Sequence, residues 1–390
     1  MCRFFLLFLF LFEIPIFGQT IINVFPQTEE LTLNKIAKSV EYIPLETNEN
    51  CIIERVSKFT ISENYILICA LQNMGRYQFP LPFYILFTRT GKFVAKLEIN
   101  GEIDASEYID ANMLSINEKD KQVLLFVNKQ KPEQREQKVM YYGFDGRFIK
   151  SVDLPAEPIV LELSRFGEYF LGKSHNMGET PFTYHIYNND LKHIISKIKP
   201  EPFTFQKNRS TVAPIFSEYV YNGQLHVREN MLNDTVYLIK NDLSFVPKYI
   251  INSGDYEVTK EIRTNNFFDM LPKFMIQTAM FETKDFLLFR YRYHKDENYY
   301  YYHKENQRFM RFVSSTGIRN DYDGGFDFWP QYQYNDELFA FYTSDLFEES
   351  KGKINKFKPQ GSAEAIRRMD QLAHTIAPEN NPILVIVKLK

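Results

Sequence analysis

The segment Asp321-Tyr322-Asp323-Gly324-Gly325-Phe326-Asp327 is the part of this chain whose residue types come nearest to an ion-binding loop. Carboxylates alternate there around two glycines, and hard oxygen donors on a bendable loop are what calcium binds. Asp321, Asp323 and Asp327 would be the ligands. The spacing is not that of an EF-hand, and no Glu follows at the right distance. The preferred alternative is a tight turn whose Asp side chains cap backbone N–H groups. Calcium is therefore the single cofactor the residues suggest; otherwise none is expected. Trp329, the sole tryptophan, follows this loop and is a candidate stacking platform for a sugar ring, against burial in an aromatic-rich core. The run Arg290-Tyr291-Arg292-Tyr293-His294-Lys295 alternates cations with tyrosines. On a strand, Arg290 and Arg292 share a face and would hold an anionic ligand such as an acidic sugar; solvated charges on an outer face are the alternative. The seven histidines form no tight metal-binding pair. The sequence contains no nucleophile elbow, phosphate-cradling loop, dinucleotide fingerprint or zincin pair.

Whatever positions these residues is written as one hairpin phrase repeated five times. Tyr84 to Leu97 reads strand, tight turn, strand, and the phrase returns at Val139–Val152, Tyr184–Ile198, Val236–Ile250 and Tyr300–Val313. With Gly91, Gly146, Leu191, Leu243 and Gln307 taken as equivalent, the intervals are 55, 45, 52 and 64 residues. A loosely kept period of this length, with strands inside each unit, indicates radial repetition of small antiparallel sheets. Within a unit apolar residues alternate: Phe93, Ala95 and Leu97 face one way, Lys92, Val94 and Lys96 the other. Further strands are expected at Val40–Leu45, Lys58–Ile61, Val123–Val127, Tyr169–Gly172, Gln224–Val227, Phe286–Tyr293 and Glu337–Tyr342.

A ring also needs its ends joined. The chain closes on Ile383-Leu384-Val385-Ile386-Val387, an apolar strand, and Ser39 to Leu45 near the start is another. Five internal hairpins plus one sheet drawn from both ends make six blades, an all-β six-bladed β-propeller with four-stranded antiparallel blades. Before the last strand, Ala363 to Ile376 places Ile366, Met369, Leu372 or Ala373, and Ile376 at helical spacing, with Ser362 as N-cap. A second short helix is expected within Thr259–Leu271.

Composition narrows the function classes. The 36 Phe and 25 Tyr suit pleated, half-buried surfaces. A net charge of −3, with no dense Lys/Arg cluster, argues against nucleic acid. Arg3, the apolar run Phe4–Phe12 and the small Gly18 describe a secretory signal over residues 1–18, with the propeller domain over 19–390. The run is too short to span a bilayer. Cys2 precedes it and so cannot be a lipid-bearing cysteine. Of the other two cysteines, Cys69 lies in the apolar strand Tyr65–Cys69, where a buried free thiol is the simpler reading than a bond to Cys51.

Several phrases together resemble the exported six-bladed β-propeller proteins of Bacteroidetes, many of them lipoproteins. They are Ser39-Val40-Glu41-Tyr42-Ile43-Pro44-Leu45-Glu46-Thr47, Asp234-Thr235-Val236-Tyr237, Phe281-Glu282-Thr283, Asn320 to Gly325, and Asn381-Pro382-Ile383-Leu384-Val385. The resemblance covers nearly the whole mature chain and implies the propeller fold, but no settled chemistry. It also marks Glu107 and Tyr108, which end a loop that is Gly-Pro-rich in family members and lacks the Gly-Pro here. The expected product is an exported monomer, periplasmic or extracellular, that binds a glycan, a peptide or an envelope protein without catalysis. The alternative is a polysaccharide lyase or lactonase-like hydrolase with its site at the central channel.

Overall fold

Each of the five hairpins turns through a residue in the left-handed region: Gly91 (φ 81°), Gly146 (84°), Leu191 (58°), Leu243 (64°) and Gln307 (55°). These are the five positions the repeat equates. Two of them must be glycine for a further reason. A Cβ on Gly91 would lie 2.5 Å from the Pro44 carbonyl oxygen, and one on Gly146 2.3 Å from that of Lys96, so these turns abut the outer strand of the preceding blade. The computed structural model describes residues 19–390 apart from 25–26, 73–80, 100–110, 112, 131–134, 175–180, 201–215, 231–232, 259–270 and 350–358. The helix expected within Thr259–Leu271 falls almost wholly outside the described residues, as do Glu107 and Tyr108.

Six sheets radiate from a central axis. Their innermost strands are Arg55–Ile61, Met113–Asn117, Glu162–Phe166, Phe216–Tyr221, Ile276–Glu282 and Tyr332–Tyr334, defining blades one to six. Blade six joins the two ends of the chain: its order is Tyr332–Tyr334, Glu337–Tyr342, Ile383–Leu389, Ala37–Pro44, with Val385 opposite Tyr42 and Val387 opposite Val40. The ring therefore closes through backbone hydrogen bonds between the amino- and carboxyl-terminal strands.

Second strands are buried on both faces, which is why most read as apolar runs; Gln224–Glu229 of blade four instead buries His226, Arg228 and Glu229. In Tyr65–Gln72, Ile66 and Ile68 pack with Phe339, Leu384 and Ile386 of blade six. Leu67 and Cys69 face the other way, against Val123, Leu125 and Tyr142 of blade two. Cys69 and Cys51 are both buried, with no disulfide between them.

The helix before the last strand spans Ala363–Thr375, and Ser362 Oγ caps it by accepting from the Ala365 N–H at 3.1 Å. Met369, Ala373 and Ile376 bury against Phe347 and Ile383. An element the sequence did not announce lies at the amino terminus. Thr20–Asn23 adds in parallel to the outer strand Phe245–Asn252 of blade four, and Gln27–Thr28 adds in parallel to Arg308–Arg311 of blade five. One segment thus runs along blades four and five before entering blade six.

Candidate functional site: the central channel

All six inner strands line one cavity of about 810 Å³ on the propeller axis. The inner strands of blades four and six approach within 8 Å between Cα atoms, although blade five lies between them in the ring. Among the described residues the cavity wall carries four cations (Lys58, Arg165, Lys173, Arg290) and four carboxylates (Glu63, Glu118, Glu162, Glu218). Hydroxyls and amides (Thr60, Ser115, Ser164, Gln331) and the rings of Tyr332 and Tyr334 lie between them. A concave site with a few convergent polar groups is where ligands bind.

The charges converge most tightly between blades three and four. Glu162 and Ser164, two apart on an inner strand, share a face. Lys173 lies directly across the ladder from Glu162, in the hairpin closed by Gly167 at φ 55°. Its ammonium contacts Glu162 Oε2 at 3.2 Å and Glu218 Oε2, on blade four, at 2.6 Å. Ser164 Oγ donates to the same Glu218 oxygen at 2.6 Å. The lysine side chain is 3% exposed, whereas those of Glu162 and Glu218 are 38% and 39% exposed. Burial alone would lower the Lys173 pKa; Glu218 and then Glu162 outweigh it and hold the ammonium above its usual value. The result is a fixed cation with two carboxylates presented to the channel, a local charge of −1.

A second polar cluster ties blades four, five and six at the tight-turn end of the channel. The Glu282 carboxylate, 1% exposed, accepts from Tyr219 Oη (2.9 Å), Tyr249 Oη (2.8 Å), Lys304 Nζ (2.7 Å) and Lys248 Nζ (3.2 Å). Burial raises its pKa, but Lys304 and Lys248 reverse this and leave it below the ordinary value. Gln333 of blade six accepts from the Glu282 N–H at 3.0 Å and donates to its carbonyl at 2.5 Å. His226 stacks on Tyr219 at 4.6 Å and accepts from Lys248 Nζ at 3.0 Å. Burial, then the Lys248 charge, push its pKa down to about 4, so its 4.0 Å approach to Glu282 is that of a neutral ring rather than an ion pair. With its carboxylate enclosed and its lysines partly open to solvent, this cluster is a structural tie.

The residues singled out in the sequence are dispersed. Asp321 Oδ1 accepts from the Asn34 N–H at 2.8 Å, and Asp323 Oδ1 from Asn320, Gly325 and Tyr42. Asp327 Oδ2 accepts from Ser314 and Thr316. Each carboxylate thus holds its own loop or strand, and among the described residues no group of three or more His, Cys, Asp or Glu is placed to hold a metal. Trp329 is 7% exposed amid Phe281, Tyr299 and Phe312, so neither ring face is open for stacking: the expected platform is a core residue. Arg290 does reach the cavity wall, where Thr278 Oγ1 at 2.9 Å and Glu297 at 3.4 Å engage it. Arg292 lies outside the lining, so the two do not form a basic row there. Glu162, Ser164, Lys173 and Glu218 were not singled out, because each is an isolated polar residue in a short strand, and their meeting depends on the ring.

A family described as a domain of unknown function (DUF4934) matches residues 19–388. Among solved structures, a Bacteroides fragilis protein described as exported matches with a TM-score of 0.65 at 16% identity, covering 95% of this chain and 100% of that one. An exo-β-1,3-galactanase of Phanerochaete chrysosporium matches with a TM-score of 0.37 at 9% identity, covering 70% of this chain and 67% of its own. A Bacteroides uniformis protein described as a 6-phosphogluconolactonase matches with a TM-score of 0.37 at 12% identity, covering 72% and 89%. At these identities the first likeness speaks to fold alone, and the other two carry no argument. The search of curated proteins finds no match. Among the described residues no helix is long and apolar enough to cross a membrane.

Proposed function

The chain belongs to the DUF4934 family of domains of unknown function, and from that premise we propose that it is an exported, non-catalytic binding module whose central channel holds a glycan. The observation that carries this reading is the 810 Å³ cavity, whose wall interleaves carboxylates, hydroxyls, amides and tyrosine rings from all six blades. Hydroxyl-rich ligands exchange hydrogen bonds with such groups and lay their apolar ring faces on aromatic side chains. Export is supported by the leader-like residues 1–18 and by a family match that starts at residue 19. A lyase or hydrolase at the same channel is the second reading, prompted by the carboxylates of Glu162 and Glu218 meeting at one lysine. Lys173 weighs against it: held protonated and enclosed, it is a poor base for abstracting a substrate proton.

The test is a screen of neutral, amino and acidic oligosaccharides against residues 19–390, followed by calorimetry on the hits. Binding without turnover, lost when the channel is filled by Ser115→Trp in a protein that still unfolds cooperatively, is the expected result. A folded protein that retains no oligosaccharide, or one that cleaves its ligand, would overturn the proposal.

A further inference from the structure

We infer that the Glu162–Lys173–Glu218 bridge is the specificity element of the channel and that it selects a glycan bearing a free amino group; this rests on the glycan-binding reading above. Three observations lead there. First, the two carboxylates come from different blades and each spends Oε2 on Lys173, while about two-fifths of each side chain remains exposed in the cavity. Second, the bridge is built rather than incidental. Its cation is 3% exposed, Ser164 braces Glu218 at 2.6 Å, and Lys173 Nζ also lies 5.7 Å from the centre of the Phe216 ring. A preorganised acceptor pair of this kind gives up little freedom when a donor arrives.

Third, the charge it offers is uncompensated locally. Two carboxylates share one ammonium, leaving −1 at a wall that must meet a donor. Two of the other three cations among the described residues of the wall have partners of their own. Arg290 is held by Glu297 and Thr278, and Lys58 Nζ donates to the Ala111 carbonyl at 3.4 Å. Arg165 lies beside Ser164, within the same wall, and is the one cation there that would favour an anionic ligand instead. Among the other carboxylates, Glu118 is occupied by the Asn64 N–H and Nδ2, each at 2.8 Å. An ammonium on a sugar ring satisfies the bridge in charge and in hydrogen-bond donors, which a hydroxyl or an acetamido group does only in part.

The experiment compares a chitosan oligosaccharide with its fully N-acetylated counterpart of equal length, and with an oligogalacturonate, by calorimetry on residues 19–390. The amine form should bind about tenfold more tightly than the acetylated form, a ratio expected of a charge-assisted hydrogen bond. Glu218→Gln and Glu162→Gln should each bring that ratio toward one, with urea unfolding confirming the fold of both variants. Equal affinities, tighter binding of the acetylated form, or preference for the oligogalacturonate would overturn the inference while leaving glycan binding intact. If no glycan in the wider screen binds the folded protein, the functional reading itself fails and the inference with it.

Discussion

Replacing Glu282 with Ala removes one acceptor from four donors at once. Tyr219 and Tyr249 each lose a hydrogen bond in a site where the carboxylate is 1% exposed, and Lys248 and Lys304 lose their counter-charge. Removing one partner of a buried pair costs roughly 3–5 kcal/mol, because the surviving group is left uncompensated. The lysines here are 29% and 23% exposed and can turn partly to water, so the lower end, about 3 kcal/mol, is expected at pH 7. The loss should depend on pH with a definite sign. Glu282 has a folded pKa below its ordinary 4.5, so its contribution is complete above that value and is lost as pH falls through the folded one. His226, depressed from 6.5 to about 4, contributes in the same direction: the folded state disfavours its protonation, and stability falls as pH drops from 6.5 toward 4. Urea titrations of the wild type and Glu282→Ala at pH 7, 5.5 and 4 measure both effects. The wild type should weaken on acidification, and the gap between the proteins should narrow below about pH 4.5 as the carboxylate protonates. A difference under about 1 kcal/mol at pH 7, or a gap that widens in acid, would refute the account of Glu282 as an ionised tie between blades.

Two further outcomes test the architecture. Gly146→Ala places a Cβ 2.3 Å from the Lys96 carbonyl oxygen at φ 84°, whereas Gly223→Ala at φ 70° meets nothing within 4 Å. The second should cost about 1 kcal/mol from backbone strain alone, and the first distinctly more, read as the shift in urea midpoint. Ile22, fully buried where the amino-terminal strand caps blade four, should cost about 2–5 kcal/mol on truncation to Ala. A near-neutral Ile22→Ala would mean that the segment adds little to the ring.

The ring itself was legible because its signals are local. A tight turn needs a left-handed residue, and the five positions equated across the repeats all have positive φ, even where Leu191, Leu243 and Gln307 replace glycine. Alternation in the outer hairpins and apolar runs in most second strands mark how many faces each strand buries. The inner strands left a weaker trace. Glu162–Phe166 and Phe216–Tyr221 are short, carry polar residues toward the channel, and pair along one edge only, each with the second strand of its own blade. No pattern within either strand indicates that Glu162 and Glu218, 56 residues apart, will meet at one lysine. The aspartate loop could be read two ways from its composition, as an ion site or as a turn with capping aspartates; Asn34, Asn320, Ser314 and Thr316 supply donors to its carboxylates, as in the second.

The amino-terminal segment shows why the two halves of the ring differ. In blades four and five the outer strand is covered by Thr20–Asn23 and Gln27–Thr28, and Val24 and Glu29 donate to the carbonyls of Asn252 and Arg311 at 2.9 and 3.2 Å. Blades one to three end, among the described residues, on the outer strands Phe93–Lys96, Phe148–Asp153 and His193–Lys197. Among the described residues, Glu118 joins blade two to blade one from a partly exposed position, and the Lys173 bridge joins three to four through carboxylates that are 38% and 39% exposed. Four, five and six are thus joined through the buried Glu282 carboxylate, and four and five are covered by the amino-terminal segment, while the inner strands of one and two, of two and three, and of four and six all approach within 8 Å between Cα atoms. Arg89–Glu337 bridges blades one and six away from the cavity wall, whereas the Lys173 bridge, between three and four, presents its carboxylates in that wall and is the one of the two placed to meet a ligand.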